Sequence, residues 1–271
     1  MHPIIPTKID LHHLSVSELR TFLMCGIRWF YEYGGAKRAE TVGWDARLRG
    51  ASLDAAANAH FAKKLENGVG ISRADAIEIG VNAHDEGIDI TMFSIPEIVS
   101  RDRVAAQVGL WHDVFGQRFS PRSAGSIQTK LSYRDAEMEV PVVGVPDLIT
   151  TEGIVVDNKI KGKIPKESDV HRDLQLTTYA MMTGATEVAL AIITDERVPR
   201  VEYIHSLRTP AQVAAVKQRY NLAARSIRSG SLNPAPEGVW YCCAKWCPHW
   251  KICPHGDNGG FNDPTIAGLD N

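Results

Sequence analysis

Long apolar runs are missing from this chain of 271 residues. None approaches the ~20 consecutive apolar residues that a membrane-spanning helix needs, and no charged-then-apolar secretory signal opens the sequence. A strong charge of either sign is also missing, since the formal net charge is -2 at pH 7. No overall positive field therefore attracts a polyanion, and any such contact must be local. We find no repeat and no low-complexity block, and we expect a cytoplasmic globular protein.

Cysteine is scarce, and most of it is concentrated near one end of the chain. The five cysteines are Cys25, Cys242, Cys243, Cys247 and Cys253. Disulfides are not expected in a reducing compartment, and the clustering favours metal ligation instead. The C-terminal group can supply three separate thiolates, with the adjacent Cys242 and Cys243 competing for one role. A structural zinc ion, with His249 or His255 as a substitute ligand, is one reading of this pattern.

Hydrophobic residues make up 44% of the chain, which is enough for a substantial core in one large or two small domains. Apolar residues recur at helical spacing in the first half, and β-branched runs dominate from about residue 127. Helices are predicted from Ser15 with a capping box, then over 27–33, 52–65, 72–86, 95–119 and 209–229. Strands are predicted over 127–133, 139–149, 154–158, 187–194 and 201–206.

The central stretch from Gly144 to Tyr179 contains the candidate catalytic residues. A turn over 150–153 predicts a hairpin, with Asp147 near the end of one strand and Asp157 near the end of its neighbour. Two carboxylates placed in this way can converge on one hard cation. Lys159 lies two residues after Asp157 and points to the same face of its strand. Such an ammonium can orient a water molecule and stabilise charge that develops on a phosphate.

A helix is predicted to follow, with Ser168 as its N-cap and Gly184 just past its end. Arg172, Gln175 and Tyr179 would form one polar stripe on it. The alternative is a surface hairpin whose ion pairs contribute little. Burying carboxylates at the ends of apolar strands is costly, which favours a functional site.

These motifs, in this order, resemble the RecB-type branch of the PD-(D/E)XK nucleases. They are Gly144-x-x-Asp147, Asp157-x-Lys159 and Gln175-x-x-x-Tyr179. The resemblance implies an α/β fold with a restriction-endonuclease-like mixed β-sheet core flanked by helices, and a helical subdomain. Two features depart from the family pattern. Asp157 stands where Glu is commoner, and Ile160-Lys-Gly162 replaces the short Thr-Gly or Thr-Ser run often seen after the lysine.

The resemblance also implies an activity, namely a metal-dependent DNA exonuclease that hydrolyses phosphodiester bonds on single-stranded or frayed DNA. It would act in recombination, repair, phage DNA processing or CRISPR spacer acquisition, with recombination, helicase or integrase proteins as partners. A non-catalytic DNA-binding or assembly factor with the same fold is the alternative. The intact set of carboxylates and lysine favours the enzyme.

Site roles follow from the same resemblance. The metal, Mg²⁺ or Mn²⁺, would be bound by His60, Asp147, Asp157 and the backbone carbonyl of Asn158. Lys159 would orient or activate the attacking water, and Gln175 and Tyr179 would position Lys159 or the DNA strand. Basic residues that would contact DNA are Lys161, Lys163 and Arg172. Taken alone, His60 reads as an ordinary, partly buried histidine, and only the resemblance makes it a ligand.

The cysteines resemble those of the iron-sulfur nucleases in the RecB-like group, which include CRISPR-associated exonucleases and their phage relatives. Cys25 with Cys242, Cys247 and Cys253 would ligate a 4Fe-4S cluster, and Cys243 would be a bystander. The cluster would be a clasp between the first helix and the last loop. The expected segments are an N-terminal helical segment (1–39), a helical subdomain (40–121), the nuclease core (122–232), the cluster-binding segment (233–256) and a flexible tail (257–271).

Overall fold

A computed structural model describes residues 6–35, 45–90 and 101–256. The tail predicted over 257–271 and the start of the helix predicted over 95–119 lie outside these residues. The chain divides into two compact units. The first unit is Met1–Val42, Tyr133–Val143 and Lys217–Asn271, and the second is Gly43–Ser132 and Gly144–Val216. Among the described helices, none combines the length and apolar character that crossing a bilayer requires.

In the first unit, the predicted capping box is present. Strand β1 (Leu14–Ser15) leads into helix α1 (Val16–Met24), where the Ser15 hydroxyl accepts from the Glu18 N–H and the Glu18 carboxylate accepts from the Ser15 N–H. Helix α1 ends at Cys25, and Gly26 begins helix α2 (Gly26–Tyr33). The N–H of Gly26 donates to the Asn233 carbonyl at 2.7 Å. A Cβ there would lie 3.0 Å from that backbone, so glycine permits the close approach.

The second unit packs its helices around aromatic side chains. Helix α3 is Asp45–Asn67, α4 is Arg73–Ile90 and α5 is Arg101–Trp111, which continues as a π-helical turn over His112–Gly116. Leu53, Ala57 and Phe61 of α3 are buried against Trp111 and other aromatic residues. Leu65, near the end of α3, is 40% exposed.

The second unit also contains a four-stranded sheet of order β4-β5-β6-β7. Its strands are β4 (Leu148–Ile149), β5 (Val155–Lys161), β6 (Glu187–Thr194) and β7 (Val201–Leu207). β4 pairs antiparallel with β5, β5 parallel with β6, and β6 antiparallel with β7. The predicted hairpin between β4 and β5 is confirmed, and Gly153 takes the φ of 89° that its turn needs.

Two strand predictions were too long. Only β2 (Leu131–Tyr133) forms in 127–133, and 139–149 breaks into β3 (Val142–Gly144) and β4. Pro146 lies in the break and has no N–H for a sheet ladder. β3 pairs in parallel with β1.

The helix predicted over 168–184 is two helices, α6 (Glu167–His171) and α7 (Leu174–Thr183). Asp173, and not Ser168, caps α7, because its side chain accepts from the Leu176 N–H at 2.9 Å. Gly184 ends α7 with a φ of 74°, as predicted. These helices form the crossover that parallel strands β5 and β6 require. Helix α8 (Pro210–Arg228) follows β7 and is capped by Thr209.

Candidate active site

Strand β5 carries the acidic and basic side chains at the centre of the site. Asp157 is only 1% exposed and lies within β5, not at its end as predicted. Lys159 points to the same face, and its Nζ lies 2.7 Å from Asp157 Oδ2. Between them, Asn158 accepts a hydrogen bond from the Trp111 indole at 3.1 Å. Asp157 and Lys159 therefore share one face of the strand, as predicted, and they form an ion pair.

Asp147 lies in the segment between β3 and β4, immediately before Leu148. Its Oδ2 accepts from the backbone N–H of Asn158 at 2.7 Å, which fixes this carboxylate beside β5. Its own carbonyl accepts from the Gln128 N–H at 3.1 Å. The two predicted carboxylates thus lie on neighbouring segments, as the hairpin implied.

A third carboxylate joins them that the sequence analysis missed. Asp54 of α3 lines a pocket of about 150 Å³ together with Asp147 and Lys159. The full lining is Gly50, Leu53, Asp54, Asp147, Asn158, Lys159 and Ile160. The available signal was an acidic residue beside the buried helix face, immediately before three alanines. Nothing local to α3 shows that β5 would pack opposite it.

Like charges in this pocket disturb one another. Burial raises the pKa of Asp147 well above its usual value, and the charges of Asp157 and Asp54 raise it further. Burial also raises the pKa of Asp54 to about 6; the Lys159 charge opposes that shift and the Asp157 charge adds to it. Burial disfavours the Lys159 ammonium, but Asp157 and Asp147 outweigh it and raise the pKa of Lys159. The pocket therefore holds more negative charge than its one ammonium compensates.

Helix α7 supplies a hydrogen-bonded pair that supports these acids. The Gln175 amide donates to Asp157 Oδ1 and to the Tyr179 hydroxyl, both at 3.0 Å. Tyr179 in turn donates to the carbonyl of Val145, two residues before Asp147, at 2.9 Å. Burial raises the pKa of Tyr179 to about 12, so the hydroxyl keeps its proton. Gln175 thus contacts Asp157 and Tyr179, and its role in positioning Lys159 or the DNA strand stays a prediction.

His60 has a different environment. It is fully buried, its Nε2 lies 3.0 Å from the Gly116 carbonyl, and its ring packs edge to face against Trp111 and His112. It is not among the residues that line the carboxylate pocket. Its role as a metal ligand remains a prediction.

The three basic residues predicted to contact DNA lie on different elements. Lys161 is half-buried at the end of β5, and Lys163 is exposed in the following loop. Arg172 is exposed at the end of α6, so it does not share a helical stripe with Gln175 and Tyr179.

The cysteines of the first unit form a second cluster. Cys25 caps α2, and its Sγ accepts from the Arg28 N–H at 3.3 Å. Burial raises the pKa of Cys242 and of Cys253, and the charge of Cys25 raises both further. Burial likewise raises the pKa of Cys247 to about 11, with the charges of Cys253 and Cys242 adding to the shift. The four cysteines predicted as ligands are therefore close enough to affect one another's charge.

Aromatic contacts attach this cysteine segment to the first two helices. The Tyr31 hydroxyl donates to the Ile252 carbonyl at 2.8 Å, and the Tyr241 hydroxyl donates to the Met24 carbonyl at 3.3 Å. His249 is buried, stacks on Tyr31 and lies 3.6 Å from the Glu32 carboxylate. Cys243 differs from its neighbour, because its Sγ donates to the Trp240 carbonyl within the same turn.

In the described residues, neither the carboxylate pocket nor the cysteine cluster has the ligand geometry of a site for one metal ion. Within 6–35, 45–90 and 101–256, no group of three or more His, Cys, Asp or Glu side chains is arranged to hold a single metal ion. In the carboxylate pocket, Lys159 lies against Asp157, and the other acids repel one another.

Two solved structures and one family model are similar to this chain. No curated protein matches the chain. A provisionally named exonuclease from Eubacterium rectale is similar in structure, with a TM-score of 0.57 and 14% identity over 88% of each chain. A phage-related exonuclease from Haemophilus somnus 129PT is 11% identical over 67% of this chain and 93% of its own, with a TM-score of 0.29.

The first of these similarities concerns the fold alone, because its sequence identity is low. The sequence supplies the assignment. The model of the PD-(D/E)XK nuclease superfamily matches residues 13–254, which span both the carboxylate pocket and the cysteine segment. The mixed α/β architecture is consistent with the restriction-endonuclease-like fold. The chain therefore belongs to the PD-(D/E)XK nuclease superfamily.

Proposed function

We propose that this nuclease is a divalent-metal-dependent deoxyribonuclease that acts as an exonuclease on single-stranded or frayed DNA. The observation that carries the proposal is that Asp54 and Asp147 line one pocket with Lys159, whose ammonium pairs with Asp157. Recombination, repair, phage DNA processing and spacer acquisition are the settings in which such an activity would be used. Helicases, integrases and recombination proteins would be its partners.

The carboxylate pocket fits a hard cation. Oxygen donors are the ligands that Mg²⁺ and Mn²⁺ prefer, and members of this superfamily typically use these ions. The raised pKa values of Asp147 and Asp54 show that burial and mutual repulsion oppose their ionised forms. A divalent cation would compensate that charge. We propose that Asp54, Asp147, Asp157 and the carbonyl of Asn158 bind it, with His60 as the further ligand that the family resemblance implies.

A metal ion bound here would polarise the phosphate and lower the pKa of a bound water. The side chains of the protein would perform the remaining roles. Lys159 is an ammonium, since the neighbouring carboxylates raise its pKa. It therefore donates hydrogen bonds to the water or the scissile phosphate, and it stabilises negative charge as that charge develops.

Gln175 and Tyr179 position the acids in this mechanism. Gln175 holds one oxygen of Asp157, and Tyr179 holds the backbone of the segment that carries Asp147. The exposed bases Lys163 and Arg172, with Lys161 at the strand end, would bind the DNA backbone at this end of β5.

We also propose that Cys25, Cys242, Cys247 and Cys253 ligate a 4Fe-4S cluster. Four thiolates match the usual ligation of a 4Fe-4S cluster. The contact of Cys243 with Trp240 supports Cys242 as the ligand.

The catalytic proposal is tested with end-labelled single-stranded and double-stranded DNA, labelled at either end, in Mg²⁺, Mn²⁺ or EDTA. Asp157→Ala and Lys159→Ala should each reduce cleavage at least ~10³-fold, because each removes a group that acts on the transition state. Glu196→Ala is the matched control, since Glu196 forms an exposed ion pair with Arg200. Circular dichroism checks that every variant is folded.

Two results would contradict this assignment. Unchanged digestion by both variants would place the chemistry elsewhere. Metal-dependent DNA binding by the wild-type protein without any cleavage would identify a DNA-binding or assembly factor that retains the nuclease fold.

A further inference from the structure

Gln128 has a backbone conformation that side chains other than glycine rarely adopt. Its φ is +39°, and among the described residues it is the one non-glycine residue with a positive φ. This left-handed region is unfavourable for a residue with a Cβ. Such outliers concentrate at functional sites, where the surroundings hold the residue in place.

Other turns of the described chain meet the same requirement with glycine. Gly68, Gly153, Gly184 and Gly230 all have φ values between 68° and 89°. Glycine at position 128 would adopt the observed φ without strain. The chain instead has a glutamine, so its side chain needs an explanation that the backbone does not give.

The side chain and backbone of Gln128 connect the two segments that carry Asp54 and Asp147. Its Oε1 accepts from the Asn58 amide at 2.5 Å, and Asn58 lies one helical turn after Asp54 on α3. The Gln128 N–H donates to the Asp147 carbonyl at 3.1 Å. The Gln128 side chain also opposes the rise that burial causes in the pKa of Asp54. One residue thus joins α3, close to Asp54, to the segment that carries Asp147.

We propose that Gln128 is a positioning residue for the divalent-metal site, fixing α3 beside Asp54 through Asn58 and the Asp147 segment through its backbone N–H. This inference rests on the proposed function, because it assumes that the pocket binds a cation. Asn58 is the side chain through which Gln128 acts on α3, since the Asn58 amide donates to the Gln128 oxygen. Hydrogen-bond partners of metal ligands typically change metal affinity 10- to 100-fold when they are removed.

The test separates strain from positioning by comparing Gln128→Gly with Gln128→Ala. Mn²⁺ binding to the full chain without DNA is measured by electron paramagnetic resonance and calorimetry, and thermal unfolding is measured in EDTA. Gln128→Gly should melt at the same or a higher temperature than wild type, because glycine relieves the strained φ. It should nevertheless bind Mn²⁺ about 10- to 100-fold more weakly. Gln128→Ala should lose the same affinity and melt below Gln128→Gly.

Two further variants complete the design. Asn58→Ala leaves the backbone at 128 intact and should weaken Mn²⁺ binding in the same direction by a smaller factor. Lys130→Gly adds the same flexibility to the same segment at an exposed position, and it should bind Mn²⁺ like wild type. Half-saturating Mg²⁺ in the cleavage assay should rise in parallel with the Mn²⁺ dissociation constant.

The outcomes are distinguishable. If wild type binds Mn²⁺ and cleaves DNA, but Gln128→Gly and Asn58→Ala bind the ion equally well, the positioning role is wrong and the proposed function stands. If Lys130→Gly loses as much affinity as Gln128→Gly, segment flexibility and not the amide is responsible. If wild type neither binds Mn²⁺ nor cleaves DNA, the proposed function fails, and this inference fails with it.

Discussion

At the scale of single residues, Gln175 offers the sharpest test of how the acids are held. Its amide donates to Asp157 and to Tyr179, so Gln175→Leu removes a donor from a carboxylate that is only 1% exposed. We expect cleavage at fixed Mg²⁺ to fall about 10- to 100-fold and the free energy of unfolding to fall by about 1 kcal/mol. Cleavage rates over a Mg²⁺ series and urea unfolding measure the two effects.

Tyr179→Phe is the matched control for this prediction. It removes the hydroxyl that donates to Val145 but leaves the Gln175 donor to Asp157 in place. We therefore expect a smaller loss of cleavage than for Gln175→Leu. An equal or larger loss would show that the Val145 contact, and not the support of Asp157, determines the role of this pair.

At the scale of secondary-structure elements, one buried guanidinium organises the break between α6 and α7. Arg208 follows β7 directly, and it is 5% exposed. It donates to the Val170 carbonyl of α6 at 2.7 Å and to the Thr177 hydroxyl of α7 at 2.8 Å. It also donates to the Ser206 hydroxyl at 2.8 Å. These bonds fix the two helices that lead to Gln175.

Replacing Arg208 with Leu should lower the free energy of unfolding by about 2–4 kcal/mol, because the buried carbonyl of Val170 loses its charged donor. Cleavage should fall as well, since α7 positions Gln175. Arg200→Leu is the control. Its ion pair with Glu196 is exposed, so the substitution should change the free energy of unfolding much less than Arg208→Leu does. Urea unfolding of both variants checks the difference, and equal effects would contradict the role given to Arg208.

The same elements show which features the sequence could predict. The β4–β5 hairpin and the placement of Asp157 and Lys159 on one face were predictable, because turn chemistry and the two-residue period of a strand are local. The break before α7 has a local signal in its cap Asp173, which the prediction overlooked, whereas the contacts of Arg208 that fix α6 and α7 come from a residue distant in sequence. Asp54 was missed for a similar reason. Only tertiary packing brings α3 against β5, and no pattern within α3 distinguishes this acid from a solvated one.

At the scale of the whole molecule, the acidic pocket should make stability depend on pH. The pKa of Asp54 is about 6 in the folded chain, above its ordinary value of 3.8. The folded state thus binds more protons than the unfolded state between these values. In EDTA, stability should therefore fall as pH rises through about 6. Asp54→Asn removes the ionisable carboxyl. The variant should therefore be more stable than wild type at pH 7.5 by about 1–3 kcal/mol.

Thermal unfolding from pH 4.5 to 7.5, with EDTA or with Mg²⁺, checks this expectation. The advantage of Asp54→Asn should shrink toward pH 4.5, where Asp54 is protonated in the folded wild type. Mg²⁺ should stabilise wild type at pH 7.5 and leave Asp54→Asn nearly unchanged. A constant advantage at every pH, or equal stabilisation by Mg²⁺, would contradict the assignment of Asp54 to the site.

The cysteine segment connects chain ends that are far apart in sequence, because Cys25 and the C-terminal cysteines belong to the same unit. If they ligate a cluster, its binding free energy contributes to folding of that unit. Cys253→Ser should then remove the brown colour and visible absorbance of protein purified anaerobically. It should also lower the free energy of unfolding by more than about 4 kcal/mol.

Cys243→Ser is the matched control, because Cys243 donates to the Trp240 carbonyl in its own turn and a hydroxyl can replace that donor. It should keep the colour, the iron content and the stability of wild type, whereas Cys242→Ser should lose all three. Loss in Cys243→Ser and retention in Cys242→Ser would reverse the choice between the two neighbours. Colourless wild-type protein with one zinc per chain would instead identify a zinc site, with His249 or His255 to be tested as the substitute ligand.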